Sequence, residues 1–214
     1  DDDGDIDILA TAVDVDELSW YENNGNEQFT KRVISNSLDN VSIVIGDDLD
    51  QDGDIDIIDT VSNDDDILWF ENDGNESFTQ RIVDNNFDGA NAALVAVDLD
   101  NDGDRDIVST AVQANDVAWF ENDGNQNFTK RIIDANFGGP LGVDVGDFDN
   151  DGDIDILAAS RDFNDIAIFV NTGSQSFTRQ IIDPNFTGAR LVATEDMEND
   201  GDLDLLASAT DADN

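Results

Sequence analysis

The sequence contains no cysteine and no histidine, and only nine Lys and Arg residues stand against 52 Asp and Glu. Without cysteine there is no disulfide framework, thiolate metal site or thiol nucleophile. Without histidine the Ser/His/Asp and Cys/His catalytic arrangements are excluded, together with zinc sites built on imidazole. The scarcity of basic residues leaves a formal net charge of −43, which repels nucleic acid and anionic lipid alike, so neither is expected as a partner. No apolar run approaches the roughly 18 residues that cross a bilayer, and Asp1-Asp2-Asp3-Gly4 is unlike the basic, then apolar start of a signal peptide. A soluble chain without membrane insertion is expected.

What is present is repetitive. The hydrophobic 39% together with 16 glycines lies in the globular range despite the charge. Trp20, Trp69 and Trp119 recur at a period of about fifty residues, as do Phe29, Phe78, Phe128 and Phe177, and the glycine-preceding Asp3, Asp52, Asp102, Asp151 and Asp200. The period divides one domain, 1–214, into units of roughly 1–38, 39–87, 88–137 and 138–186, with a partial unit at 187–214. In the second unit, β-rich apolar runs cover 42–46, 55–61, 67–71 and 78–83, which predicts four strands. Asp73-Gly74, Asp123-Gly124 and Asn24-Gly25 predict two-residue type I′ hairpins between the third and fourth runs.

Each unit therefore reads as a four-stranded antiparallel meander. One such sheet cannot bury both faces alone, whereas sheets stacked around an axis can, so the expected fold is an all-β propeller with about four blades visible, as a partial or oligomer-completed ring. The continuous apolar run Ile67-Leu68-Trp69-Phe70 suits a strand covered on both sides. The alternative is a β-solenoid or a string of small sandwiches. The chain opens with the second to fourth strands of one blade and finishes with a first strand near 191–194 and a second near 203–208. The segments 203–208 and 6–11 would compete for one place in a closed four-bladed ring. Pairing between copies through terminal strands is the expected alternative to closure.

Between the first and second strands of each unit lies an Asp-x-Asp-x-Asp-Gly-x-x-Asp loop, complete at 48–56, 98–106 and 147–155; at 196–204 Glu198 replaces the third-position aspartate. Ca²⁺ takes six to eight oxygen ligands, and carboxylates at positions one, three, five and nine with a carbonyl at seven nearly supply them. Glycine at six permits the sharp turn. The loop is not an EF-hand, because position twelve is Asp59, Ser109, Ala158 or Ala207 in place of a bidentate Glu, and a strand follows in place of a helix. Acidic surface turns are the plain alternative, but four copies at one place in the unit would repel badly without a cation.

These loops, with Trp-Phe-Glu-Asn-Asp-Gly-Asn at 69–75 and 119–125, resemble the FG-GAP or VCBS-type repeat, whose calcium loops also occur in the integrin α-subunit propeller. The resemblance implies Ca²⁺ ligands Asp48, Asp50, Asp52, Asp54 (through its carbonyl) and Asp56 in one loop. It implies Asp98, Asp100, Asp102, Asp104 and Asp106 in the next, then Asp147, Asp149, Asp151, Asp153 and Asp155. The fourth set is Asp196, Glu198, Asp200, Asp202 and Asp204, where the longer Glu198 departs from the pattern. A first loop retains only Asp1, Asp3, Asp5 and Asp7.

Weaker patterns accompany these. Asn40, Asn75, Asn127 and Asn185 begin Asn-x-Ser/Thr sequences, which an Asn-rich chain produces by chance. The periodic tryptophans suit a core better than a sugar-stacking platform. Acidic pairs for glycoside cleavage are already accounted for by the metal loops. The expected function is a secreted or cell-surface calcium-binding module for adhesion or for carbohydrate or protein recognition, with Ca²⁺ structural and no catalysis. The alternative is an accessory or partial propeller of a polysaccharide-degrading enzyme.

Overall fold

The computed structural model describes residues 4–210. Blade 1 consists of β1 (Ile8–Ala12), β2 (Glu17–Asn23) and β3 (Phe29–Ser35). Blade 2 is β4 (Val41–Asp47), β5 (Asp56–Val61), β6 (Asp66–Asn72) and β7 (Phe78–Asp84). Blade 3 is β8 (Ala90–Val97), β9 (Asp106–Ala111), β10 (Asp116–Asn122) and β11 (Phe128–Asp134). Blade 4 is β12 (Pro140–Gly146), β13 (Asp155–Ser160), β14 (Asp165–Asn171) and β15 (Phe177–Asp183), and blade 5 is the pair β16 (Ala189–Glu195) and β17 (Asp204–Ala209). Every sheet is an antiparallel meander in chain order, as the fifty-residue period requires, and the whole is a β-propeller.

Alternation along the second strand of each blade shows how the sheets stack. Ile57 and Val61 of β5 join Leu18 of blade 1 in one apolar cluster, whereas Ile58, between them in sequence, joins Ile107 and Phe120 of blade 3 in the next. Successive side chains of a strand point to opposite faces, so one strand feeds two interfaces. The same exchange repeats between blades 3 and 4 and between blades 4 and 5. Strands β5, β9 and β13 are consequently buried at every residue. Trp69 and Trp119 are buried in these interfaces, each with a cation over its ring: the Arg81 guanidinium lies 5.3 Å from the Trp69 ring centroid and that of Arg131 5.6 Å from the Trp119 centroid. Trp69 and Trp119 are core residues and present no stacking face to a sugar.

One sequence expectation meets a different outcome. The Asp-Gly pairs do not form two-residue type I′ turns. Strand pairing closes at Asn72↔Phe78 and Asn122↔Phe128, leaving five-residue loops in which Asp73 N–H donates to Ser77 O at 3.1 Å and positive φ falls on Gly74 and Glu76, not on Asp73. The Asp73 carboxylate explains the wider loop, because it accepts the Asn75 amide at 2.9 Å and offers the chain a side-chain turn in place of the tight main-chain one. The ends accord with a partial ring: β17 pairs with β16 and β1 with β2 in separate sheets, so the competition expected of a closed four-bladed ring does not arise. Among the described residues no helix is long and apolar enough to cross a membrane.

Candidate metal centre

Each acidic loop runs from the first strand of a blade to its second. Its sixth residue, a glycine, has φ of +104° in Gly53 and +102° in Gly103, a conformation that side chains rarely adopt. The turn aims main-chain amides at the loop's own aspartates. Gly53 N–H donates to Asp48 Oδ2 at 3.1 Å, Gly103 to Asp98 at 3.1 Å, Gly152 to Asp147 at 3.0 Å and Gly201 to Asp196 at 2.9 Å. Amides of the seventh residues cap position five, Asp54 N–H reaching Asp52 Oδ1 at 3.0 Å and Asp104 N–H reaching Asp102 Oδ1 at 2.9 Å. These amides hold the carboxylates pointing inward, where they crowd one another.

Carboxylate oxygens of Asp48, Asp50 and Asp52 lie within 4.8 Å of one another, as do those of Asp98, Asp100 and Asp106, and of Asp147, Asp149 and Asp155. Three of the four sequence-derived sets are thereby brought together, in part. Asp196, Glu198, Asp200, Asp202 and Asp204 share the loop hydrogen bonds, with Asp202 N–H on Asp200 at 3.1 Å, but do not form such a group among the described residues. Of the first loop, Asp1 and Asp3 lie outside the described residues, and Asp7 Oδ1 accepts the Asn23 amide at 2.7 Å. The seventh-position side chains serve another purpose: Asp104 and Asp153 lie against the hairpin glycines Gly124 and Gly173, where an added methyl would come within 2.5 and 2.8 Å of a carboxylate oxygen. That leaves their carbonyls as the groups with which to face an ion.

Position nine has a structural task that the sequence pattern did not reveal. Asp56 is buried and accepts two amides, Leu49 N–H at 3.1 Å and Asn72 N–H at 2.8 Å. Asp106 repeats this with Leu99 at 3.0 Å and Asn122 at 2.8 Å, and Asp155 with Phe148 at 3.0 Å and Asn171 at 2.7 Å. Each asparagine returns a bond to the strand that holds the aspartate, as when Asn72 Nδ2 donates to Ile55 O at 3.1 Å, and accepts the hairpin glycine amide, Gly74 N–H at 3.2 Å. The missed residues Asn72, Asn122 and Asn171 therefore lock loop, third strand and hairpin together. Their signal was available: each stands 16 residues after its position-nine aspartate.

The electrostatics favour a cation. Burial pushes the Asp56 carboxyl up to about 6 and that of Asp106 up to about 7, and raises Asp155 as well. Asp50 and Asp100 are raised by desolvation and by their neighbours Asp52 and Asp102. A nearby positive charge reverses both effects. In the second loop Asp48 Oδ1 is buried with no hydrogen-bond donor, an uncompensated oxygen of the kind that metal coordination satisfies. The donors are all hard oxygens, with no nitrogen or sulfur, which suits Ca²⁺ and disfavours zinc or copper.

The FG-GAP-like repeat model matches the chain four times in overlapping register, at residues 1–58, 48–109, 98–158 and 147–207. No curated protein sequence matches significantly. Among solved structures, the chain is similar to a lectin from Agrocybe aegerita described as recognising non-reducing terminal N-acetylglucosamine, with 18% identity and a TM-score of 0.62 over 94% of this chain. The match spans 60% of that lectin chain, and at such identity it bears on the fold alone. With repeats tiling residues 1–207 and an acidic loop at the same place in each blade, the chain belongs to the FG-GAP-like repeat family.

Proposed function

We propose that this chain is an extracellular calcium-binding β-propeller module that recognises a carbohydrate or protein ligand without transforming it. The observation that carries the calcium reading is the convergence of three aspartate oxygens within 4.8 Å in each of three loops, with Asp48 Oδ1 buried and uncompensated. Asp48, Asp50, Asp52 and Asp56, with their counterparts in the next two loops, would hold the ion together with the carbonyls of Asp54, Asp104 and Asp153. Bound Ca²⁺ supplies positive charge that offsets carboxylate repulsion and ties the first strand of a blade to its second. The protein's own part is rigid presentation: the amides of Gly53, Gly103 and Gly152 orient the carboxylates, and Asn72, Asn122 and Asn171 fix the hairpins beside them. Millimolar extracellular calcium would fill even weak loops of this kind, which supports a secreted or surface location.

Carbohydrate recognition is supported by the fold shared with the N-acetylglucosamine-recognising lectin. A glycan array probed in calcium, followed by analysis of the retained glycans, tests it. Binding with unchanged glycans is the expected result; cleaved glycans would favour an accessory propeller of a polysaccharide-degrading enzyme, and no retention would leave protein ligands as the class to pursue. Chelation tests the calcium reading, since any ion bound only by the native state raises the melting temperature. An unchanged midpoint in excess chelator at low salt would remove it.

A further inference from the structure

The acidic loops are not isolated from one another. The carboxamide of Gln126, in the hairpin loop of blade 3, donates from Nε2 to Asp50 Oδ2 of the blade 2 loop at 3.2 Å. One repeat further on, Gln175 of blade 4 donates from Nε2 to Asp100 Oδ2 of the blade 3 loop at 2.9 Å. Both glutamines hold a left-handed backbone, φ +66° and +56°, which carries an energetic cost for a residue with a side chain. The same hairpins are anchored at their other end to their own blade's loop, because Gly124 lies against the Asp104 carboxylate and Gly173 against Asp153. A polar cavity of about 240 Å³ between blades 2 and 3 is lined by Asp50, Gln51, Asp104, Asn125 and Gln126, so the polar contact lies where two loops and a hairpin meet. Gln51 adds a second crossing by donating to the Gly103 carbonyl of the next loop.

We propose that Gln126 and Gln175 are positioning residues that couple calcium binding in one blade's loop to calcium binding in the next. The inference rests on the calcium reading above. The path is continuous: Asp50 holds Gln126, the Gln126 hairpin carries Gly124, and Gly124 bears on Asp104; then Asp100 holds Gln175, whose hairpin carries Gly173 onto Asp153. An ion that fixes Asp50 fixes the acceptor of Gln126 and so the hairpin that supports the next loop. By thermodynamic reciprocity, filling the second loop must strengthen the first by the same factor. Hydrogen bonds that orient ligating carboxylates typically contribute about 10- to 100-fold in metal affinity.

Calcium titrations of the full chain followed by NMR test this, with the amides of Gly53, Gly103 and Gly152 reporting one loop each. Gln126→Ala should weaken the site reported by Gly53 about tenfold, Gln175→Ala that reported by Gly103, and neither should move the melting temperature in chelator. Gln126→Asn, which keeps the carboxamide but shortens its reach, should reproduce the Gln126→Ala loss. Disabling loop 2 with Asp48→Ala and Asp52→Ala should weaken the Gly103 site in the parent chain, and have a markedly smaller effect once Gln126→Ala is present, the remainder passing through Gln51; an undiminished effect would overturn the proposal. Wild-type affinities in the glutamine variants, or a Gly103 site indifferent to loop 2, would overturn the proposal while leaving calcium binding intact. A parent chain whose three glycine amides ignore calcium would overturn both readings together.

Discussion

Single positions within a repeated frame carry the sharpest physical contrasts. Asp59 is fully buried on β5, facing blade 1 beside Ile57 and Val61, at a position held in the other blades by Ser109, Ala158 and Ala207. Burial pushes its carboxyl up to about 7, and neither carboxylate oxygen has a hydrogen-bond partner. Because the folded state holds this proton more tightly than the unfolded chain, its contribution is fully present below about pH 4 and is lost as pH rises to about 7. Replacing Asp59 with Ser or Ala should therefore stabilise the protein at pH 8, by at most about 4 kcal/mol, and do little at pH 4. Denaturation midpoints of parent and variant across that range, at fixed calcium, check this; parallel curves would show that Asp59 is ionised throughout. A second contrast separates ligand from turn. Asp102→Ala should abolish calcium binding in its loop, whereas Asp123→Ala, which removes the acceptor for the Asn125 amide at 2.9 Å, should loosen the hairpin and leave measurable affinity. Calorimetric titration distinguishes them, and equal losses would count against Asp102 as a ligand.

At the level of the element, the strands were legible because each is a short apolar run bounded by turn residues, and 42–46, 67–71 and 78–83 differ from β4, β6 and β7 by a residue or so at either end. The hairpins were misread for a physical reason: the Asp-Gly pair sets backbone preference, but Asp73 and Asp123 use their carboxylates to build a wider turn that dipeptide rules do not anticipate. The acidic loops were legible as clusters. Their anchoring was not, since Asn122 reads as ordinary turn chemistry until the sheet places it beside Asp106. Buried Asn122 donates to Arg105 O at 3.1 Å and, across the blade boundary, to Leu49 O at 3.4 Å, and accepts Gly124 N–H at 3.2 Å. Asn122→Ala removes the partner of all three groups at once, leaving the buried Leu49 carbonyl unsatisfied, and should cost about 2–3 kcal/mol in calcium-saturated urea unfolding. The exposed Asn125 donates only within its own hairpin, and Asn125→Ala should cost under about 1 kcal/mol. Comparable losses would mean that the hairpin, not the tie to the loop, governs stability.

Across the whole molecule the governing quantity is charge. Three divalent ions would neutralise only about six of the 43 excess negative charges, so the loaded chain would remain strongly acidic and the repulsion would be redistributed more than removed. The described ion pairs are few and peripheral in effect, among them Arg105 with Asp47 at 2.7 Å, Lys130 with Asp84 at 3.0 Å and Arg179 with Asp134 at 2.9 Å, and each of these three links neighbouring blades. Partly exposed pairs of this kind contribute little individually, and salt weakens them while it also screens the larger like-charge repulsion. Repulsion should dominate, because its densest points are the loops themselves. Raising choline chloride from about 0.05 to about 1 M shortens the screening length from about 14 to about 3 Å, and choline is too large to sit among the clustered loop carboxylates as Ca²⁺ would. The melting temperature in chelator should therefore climb steeply with choline chloride, while the calcium-saturated protein, whose loop repulsion is already offset, should respond much less. Scanning fluorimetry at matched ionic strengths measures both slopes. Equal slopes would place the destabilising charge on the general surface and not in the acidic loops, and a falling slope in chelator would mean that the interblade ion pairs outweigh repulsion altogether.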